Sequence, residues 1–389
     1  MNAQESLEKQ LDSFSQALAH CRELLKSSAS SPLEVKKLDS EAKSAKIDDE
    51  ISRETQKESP LDQLVSITSL VKAHTTKIAL TFNPPVACEA ATTCLGDLSM
   101  TLPHLVATTL TLDAEKESKI MKEETTNKIL RLITSMLRFL EELKLVDIYD
   151  QAKREKKVED GDDKREGNDE GRDQSHNSRL VTIGQVWESC DSISKLKETG
   201  LSGLIKAKID SYSDLISDSL EELKEYKENP KDTLNGWGLD DFSDSEDDTK
   251  PPIEKNNENN GNKVIEISPD MIKFSKKWEA KLELISKIYK GITIYRFGRT
   301  SKTINMEIPK LNQLISLIDS IAATCDDIVA EIMDSYLDPD FDQDLFDDLE
   351  NRMVSEIKKL VGLSRLDVKQ EEDHFTKWAD QFLEKHFTS

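Results

Sequence analysis

The side chains in this sequence that could do chemistry are few and widely spaced. Asp338, Asp340, Asp342 and Asp344 put a carboxylate at every second position, which is how a calcium loop opens. Such a loop also needs glycine at its sixth position and a bidentate glutamate at its twelfth, where Gln343 and Leu349 stand instead. The run reads better as acids at a helix start, capping free N–H groups and complementing the dipole. Cys88, Cys94 and His104 lack the closely paired spacing of a structural zinc site. There is no glycine-rich phosphate loop, no Gly-x-Ser-x-Gly elbow, no His-Glu-x-x-His and no Cys-x-x-Cys. No catalytic residue, metal or cofactor is therefore expected, and no small-molecule substrate.

A different kind of chemistry is written at 236–248, which reads Gly-Trp-Gly-Leu-Asp-Asp-Phe-Ser-Asp-Ser-Glu-Asp-Asp. Trp237 is surrounded by glycines and carboxylates, whereas Trp187, Trp278 and Trp378 sit on helical apolar stripes and read as core. Trp237, Leu239, Asp240, Asp241 and Phe242 together have the character of a short motif that folds into a partner's groove; the plainer reading is a solvated tether. Ser243 and Ser245 are each followed three residues later by an acid, Glu246 and Asp248, the pattern that acidophilic kinases favour. Phosphorylation there would add about −1.5 to −2 charge per site.

Composition limits the partners. The chain has 389 residues, is 36% hydrophobic, 5% aromatic and 33% charged, and carries a formal charge of −23. That average field repels nucleic-acid phosphates and anionic lipid headgroups, so direct nucleic-acid binding is not expected. Two local exceptions, Lys153, Arg154, Lys156 and Lys157, and Arg296, Arg299 and Lys302, read as solvated charged faces or as contact or nuclear-import patches. Cys21, Cys88, Cys94, Cys190 and Cys325 are odd in number and mostly on apolar stripes, as expected of reduced core thiols. The first residues lack a signal-peptide pattern, and no apolar run approaches the ~20 residues that span a bilayer. Cytoplasm and nucleus are the expected locations.

The elements that must carry these residues are helices. The expected class is all-α: two consecutive bundles of about five helices each, 1–200 and 201–389, joined near Gly200 and Gly203, with charged disordered loops at 150–178 and 229–264. Leu7, Leu11, Phe14, Leu18, Cys21 and Leu25 form a narrow seam of coiled-coil character. Ser59 and Pro60 cap a second helix. A third, 86–112, should kink or break at Pro103. The fourth, 113–149, carries two adjacent apolar stripes and belongs in the middle of its bundle. Thr182 and Gln185 have capping-box spacing, so the fifth helix should begin there, with Ile183, Val186, Trp187, Cys190 and Ile193 inward. In the second half, Leu311, Ile315, Ile318, Ala322, Cys325, Val329 and Ile332 keep strict four-three spacing.

Three segments taken in order resemble the cyclin-D-binding protein family, also called GCIP. They are Thr76-Lys77-Ile78-Ala79-Leu80-Thr81-Phe82-Asn83-Pro84-Pro85, then Gly184-Gln185-Val186-Trp187-Glu188-Ser189-Cys190, then the Gly/Trp/Asp run at 236–248. The resemblance implies an all-helical, non-enzymatic regulator of cell cycle and transcription that occupies cyclin-like or helix-loop-helix partners and moves between cytoplasm and nucleus. The charged run at 150–177 and the Asn-rich insertion depart from the family pattern. A vinculin- or catenin-like cytoskeletal adaptor is the alternative; an enzyme is the remaining one.

Overall fold

Helix boundaries in this protein follow local rules at some positions and tertiary demands at others. The computed structural model describes residues 3–30, 58–159, 170–228, 269–298, 306–335, 343–365 and 373–387. Among these residues there are nine helices: α1 (Ala3–Ser30), α2 (Pro60–Thr81), α3 (Cys88–Leu110), α4 (Lys119–Glu159), α5 (Glu170–Glu228), α6 (Pro269–Phe297), α7 (Ile308–Ser335), α8 (Gln343–Leu363) and α9 (His374–Phe387). No strand occurs among the described residues, in agreement with the all-α class. The chain divides into two compact units, Met1–Leu204 and Ile205–Ser389.

In the first unit, five helical segments enclose one core. α2 packs on α3, α3 on α1, and α1 on α4. A contact between the Ser135 and Ser189 hydroxyls, 3.1 Å apart, joins α4 to α5. Ion pairs Lys72–Asp191 at 2.7 Å and Lys197–Asp62 at 2.5 Å then join α5 to α2. Such exposed pairs contribute about 0–1 kcal/mol each, so the core must hold the unit together. It is built from Leu7, Leu18, Leu64, Ile78, Leu95, Leu105, Leu132, Phe139, Val186 and Ile193, drawn from all five segments. Each side chain of this size contributes about 1.5–3 kcal/mol on burial.

Ser59 caps α2 as expected, its hydroxyl accepting from the Asp62 N–H at 3.2 Å with Pro60 in the first turn. Three other boundaries differ from expectation. α3 runs unbroken through Pro103. The missing N–H costs one bond to the Ser99 carbonyl, and burial of Leu98, Leu102 and Leu105 on either side holds the helix together. α4 starts at Lys119, not at 113, because Asp113 turns the chain first. Its Oδ1 accepts from the Glu115 N–H at 3.0 Å and its carbonyl from the Glu117 N–H at 2.8 Å. Finally, Thr182 does not cap a helix: α5 begins at Glu170, and the Thr182 hydroxyl donates back to the Arg179 carbonyl at 3.0 Å. A threonine inside a helix satisfies its hydroxyl this way, so capping-box spacing alone is ambiguous. Helix also covers more of 150–178 than expected, since α4 reaches Glu159 and α5 starts at Glu170. Residues 160–169 and 229–268 lie outside the described residues.

At Gly200, φ is 65° and ψ is 179°, a conformation that side-chain-bearing residues avoid. It separates two helical runs within α5, 170–199 and 201–228. In the second unit, the later run lies parallel to α7. Tyr212 pairs with Asp319, Ser219 meets Asp326 at 3.4 Å, and the Tyr226 hydroxyl donates to the Met333 carbonyl at 2.9 Å, a constant offset at seven-residue intervals. α6 packs beside this run, with Ser213 and Ser286 hydroxyls 3.2 Å apart, and Tyr289 of α6 donates to the Ile318 carbonyl of α7 at 2.7 Å. α8 packs on α7, and α9 lies on α6.

Candidate partner-binding site

The motif residues Trp237, Leu239, Asp240, Asp241 and Phe242, with Ser243 and Ser245, lie outside the described residues, between α5 and α6. So do Asp338, Asp340 and Asp342, while Asp344 stands in the first turn of α8. Among the described residues, no group of three His, Cys, Asp or Glu side chains is placed to hold a metal ion. No described helix is long and apolar enough to cross a membrane.

The first two segments singled out in the sequence both contribute to the core of the first unit. Segment 76–85 ends α2 and turns into α3 through the buried ring of Phe82 and a cis Pro84–Pro85 bond. Backbone groups close the turn: Phe82 N–H donates to the Ile78 carbonyl at 3.1 Å and Ala87 N–H to the Thr81 carbonyl at 3.0 Å. Side chains from other helices take up what remains. Asp150 of α4 accepts from the Val86 N–H at 3.1 Å, and Arg179 of α5 donates through Nη1 to the Phe82 carbonyl. Gln4 of α1 donates to both oxygens of Asp147 at 2.7 Å and accepts from the Cys88 thiol at 2.9 Å. Arg179 is only 4% exposed, and burial pulls its guanidinium below the ordinary arginine range. Its Nε has no partner among the described residues.

This polar cluster pins one end of the unit. Near these residues in sequence are apolar side chains that the core does not cover: Leu80 before the turn, Leu145 and Ile148 on α4, and Leu180 and Val181 on α5. Leu80 is 72%, Ile148 62% and Val181 60% exposed. Scattered exposed leucines are ordinary; these five lie on helices that Asp150 and Arg179 tie to one turn, and their apolar area is open to a partner.

Arg179, Asp147 and Asp150 were not recognisable as a set from the sequence. The three-residue spacing of Asp147 and Asp150 was the available signal; reading 150–178 as loop concealed it. The second segment, 184–190, lies along α5. Val186 and Cys190 point into the core, Trp187 packs partly buried against it, and Gln185, Glu188 and Ser189 face outward onto a groove beside α4. Arg296, expected in a surface patch, is instead 2% exposed; it binds the Ser364 carbonyl and Asp373. Arg299 and Lys302 lie outside the described residues.

Comparison with known proteins adds to this geometry. Residues 63–229 match the family model described as Grap2 and cyclin-D-interacting, N-terminal. An uncharacterized protein of Schizosaccharomyces pombe is 26% identical over 332 residues, covering 84% of this chain and 84% of the relative. An uncharacterized protein of Saccharomyces cerevisiae is 24% identical over 266 residues, covering 67% of this chain and 66% of the relative. The family match takes in both the double-proline turn and the 184–190 segment, and ends before the Gly/Trp/Asp run. Over residues 63–229, the chain is similar to the N-terminal domain of the Grap2 and cyclin-D-interacting family.

Proposed function

We propose that this protein is a non-catalytic regulator of cell cycle or transcription that acts by sequestering helical segments of partner proteins. The observation that carries the reading is the exposure of Leu80, Leu145, Ile148, Leu180 and Val181 on three helices tied to one turn by Arg179 and Asp150. Apolar side chains on helices fixed in this way receive an amphipathic helix with little ordering cost on their own side. The family description supports a D-type cyclin as first partner to try, and the resemblance adds helix-loop-helix transcription factors. Activity in cytoplasm and nucleus and phosphorylation at Ser243 and Ser245 belong to the same proposal. Trp237, Leu239, Asp240, Asp241 and Phe242 would add a second, acidic contact that steers basic surfaces.

Capture of a D-type cyclin or helix-loop-helix domain by the purified chain tests this reading. The Ile148→Asp/Val181→Asp variant, with an unchanged melting curve, is expected to lose capture by tenfold or more. Retained capture by this variant would transfer recognition elsewhere, and deletion of 235–248 then asks whether the acidic motif carries it. Fragment mass spectra of cell-derived protein with both serines unmodified would remove the phosphorylation.

A further inference from the structure

We propose that the outer face of α4, flanked by α1 and α5, is a second docking groove, one that takes an acidic peptide segment of a partner protein. The proposal deepens the binding function above and rests on it only in taking the partner to be a protein.

Two grooves, of about 660 Å³ and about 550 Å³, share Arg22, Thr134 and Arg138 as lining residues and so form one continuous depression. Five basic side chains line it, Arg22, Lys26, Lys128, Arg131 and Arg138, against three acids, Glu124, Glu141 and Glu188. In a chain of formal charge −23 this is a local inversion of sign. Three of the cations are already engaged: Arg22 and Lys26 lie 3.3 and 3.2 Å from Glu23, and Lys128 lies 3.1 Å from Glu124. Arg131 and Arg138 are exposed and have no ion pair among the described residues.

These two arginines are seven residues apart on α4, two helical turns, and therefore about 10 Å apart along the axis. A peptide in the polyproline II conformation advances about 3.1 Å per residue with three residues per turn, so carboxylates three positions apart share one face and match them. Guanidinium groups bind carboxylates in paired, planar fashion, which favours Asp or Glu at those positions. Leu130 and Leu137, each one residue before an arginine, line the groove and are partly buried against the core, supplying an apolar floor. The geometry thus fits acids at every third position with apolar side chains between them. Nucleic acid fits less well, because the rim carboxylates and the net charge oppose a phosphate backbone.

The test uses the full chain and a short fluorescein-labelled peptide with aspartate at every third position and leucine between, read by anisotropy. Binding is expected to weaken with added salt and to fall about tenfold or more in Arg131→Glu/Arg138→Glu. It should be unchanged in Lys77→Glu, an exposed site on α2, and in Ile148→Asp/Val181→Asp. No binding to the native chain, equal binding by the double arginine variant, or tighter binding of a single-stranded oligonucleotide of equal charge would each overturn the groove. Because the Ile148→Asp/Val181→Asp variant is read separately by partner capture, loss of either site leaves the other's result interpretable.

Discussion

Arg296 holds three helix ends at once. It leaves the last turn of α6, donates to the Ser364 carbonyl beyond α8, and pairs with Asp373, whose Oδ1 also accepts from the Phe375 N–H at 3.3 Å at the start of α9. Its guanidinium carbon lies 4.3 Å from the Phe375 ring centre. Burial pushes the Asp373 carboxyl up, but the hydrogen bond and charge of Arg296 outweigh it and hold the group below its usual range. A depressed carboxylate stabilises the fold above the unfolded value, about 3.9, and loses that contribution as pH falls through the folded value. Asp373→Asn keeps a capping oxygen but removes the charge, and is expected to cost about 3 kcal/mol near neutral pH. Urea unfolding should show the gap from native protein constant between about pH 7 and 5 and shrinking below about 4. A gap that is constant down to the acid limit would mean the pair contributes no charge-dependent stability.

Cysteine reactivity is also decided residue by residue. Burial first, and then the Asp191 charge, push Cys190 up to about 12, and burial raises Cys325 as well. The thiolate is the reactive form, so neither should alkylate in the folded protein at pH 8. Mass spectra after timed iodoacetamide treatment should show Cys88 and Cys94 labelled first, with Cys190 and Cys325 labelled only on unfolding. Early labelling of Cys190 would contradict its buried position.

At the scale of elements, α9 is held against α6 by close approach. A Cβ at Gly291 would lie 2.7 Å from the Trp378 ring, which is itself confined by Phe375 and Phe382 at 5.8 and 5.1 Å. Gly291→Ala should therefore destabilise by about 1–3 kcal/mol, since overpacking exceeds the helix preference for alanine of about 1 kcal/mol. Gly184→Ala, on α5 with open space around its Cβ, should instead stabilise by up to about 1 kcal/mol. Denaturant midpoints moving in opposite directions would bear this out; two shifts of the same sign would not. Helices were legible where apolar spacing was long, as in α1, α4 and α7, because burial on one face imposes that period. Their ends were less so: Asp113 and Thr182 each have two ways of satisfying a polar group, and only packing selects between them.

For the whole molecule, the all-helical class followed from patterning, and the family resemblance from three segments, of which two are placed, at one turn and along one helix, and the third lies outside the described residues. The cluster of Gln4, Asp147, Asp150 and Arg179 was illegible because its members are distant in sequence and meet only when α1, α4 and α5 converge on the double-proline turn. Two surfaces of the first unit are proposed for binding, the exposed aliphatic side chains near that turn and the basic groove on α4, and the account rests on the first being used. Hydrogen exchange of the full chain with and without a bound D-type cyclin tests this most directly. Slowed exchange is predicted at 76–86, 143–150 and 179–184; protection confined to 229–268 or to the second unit would contradict it.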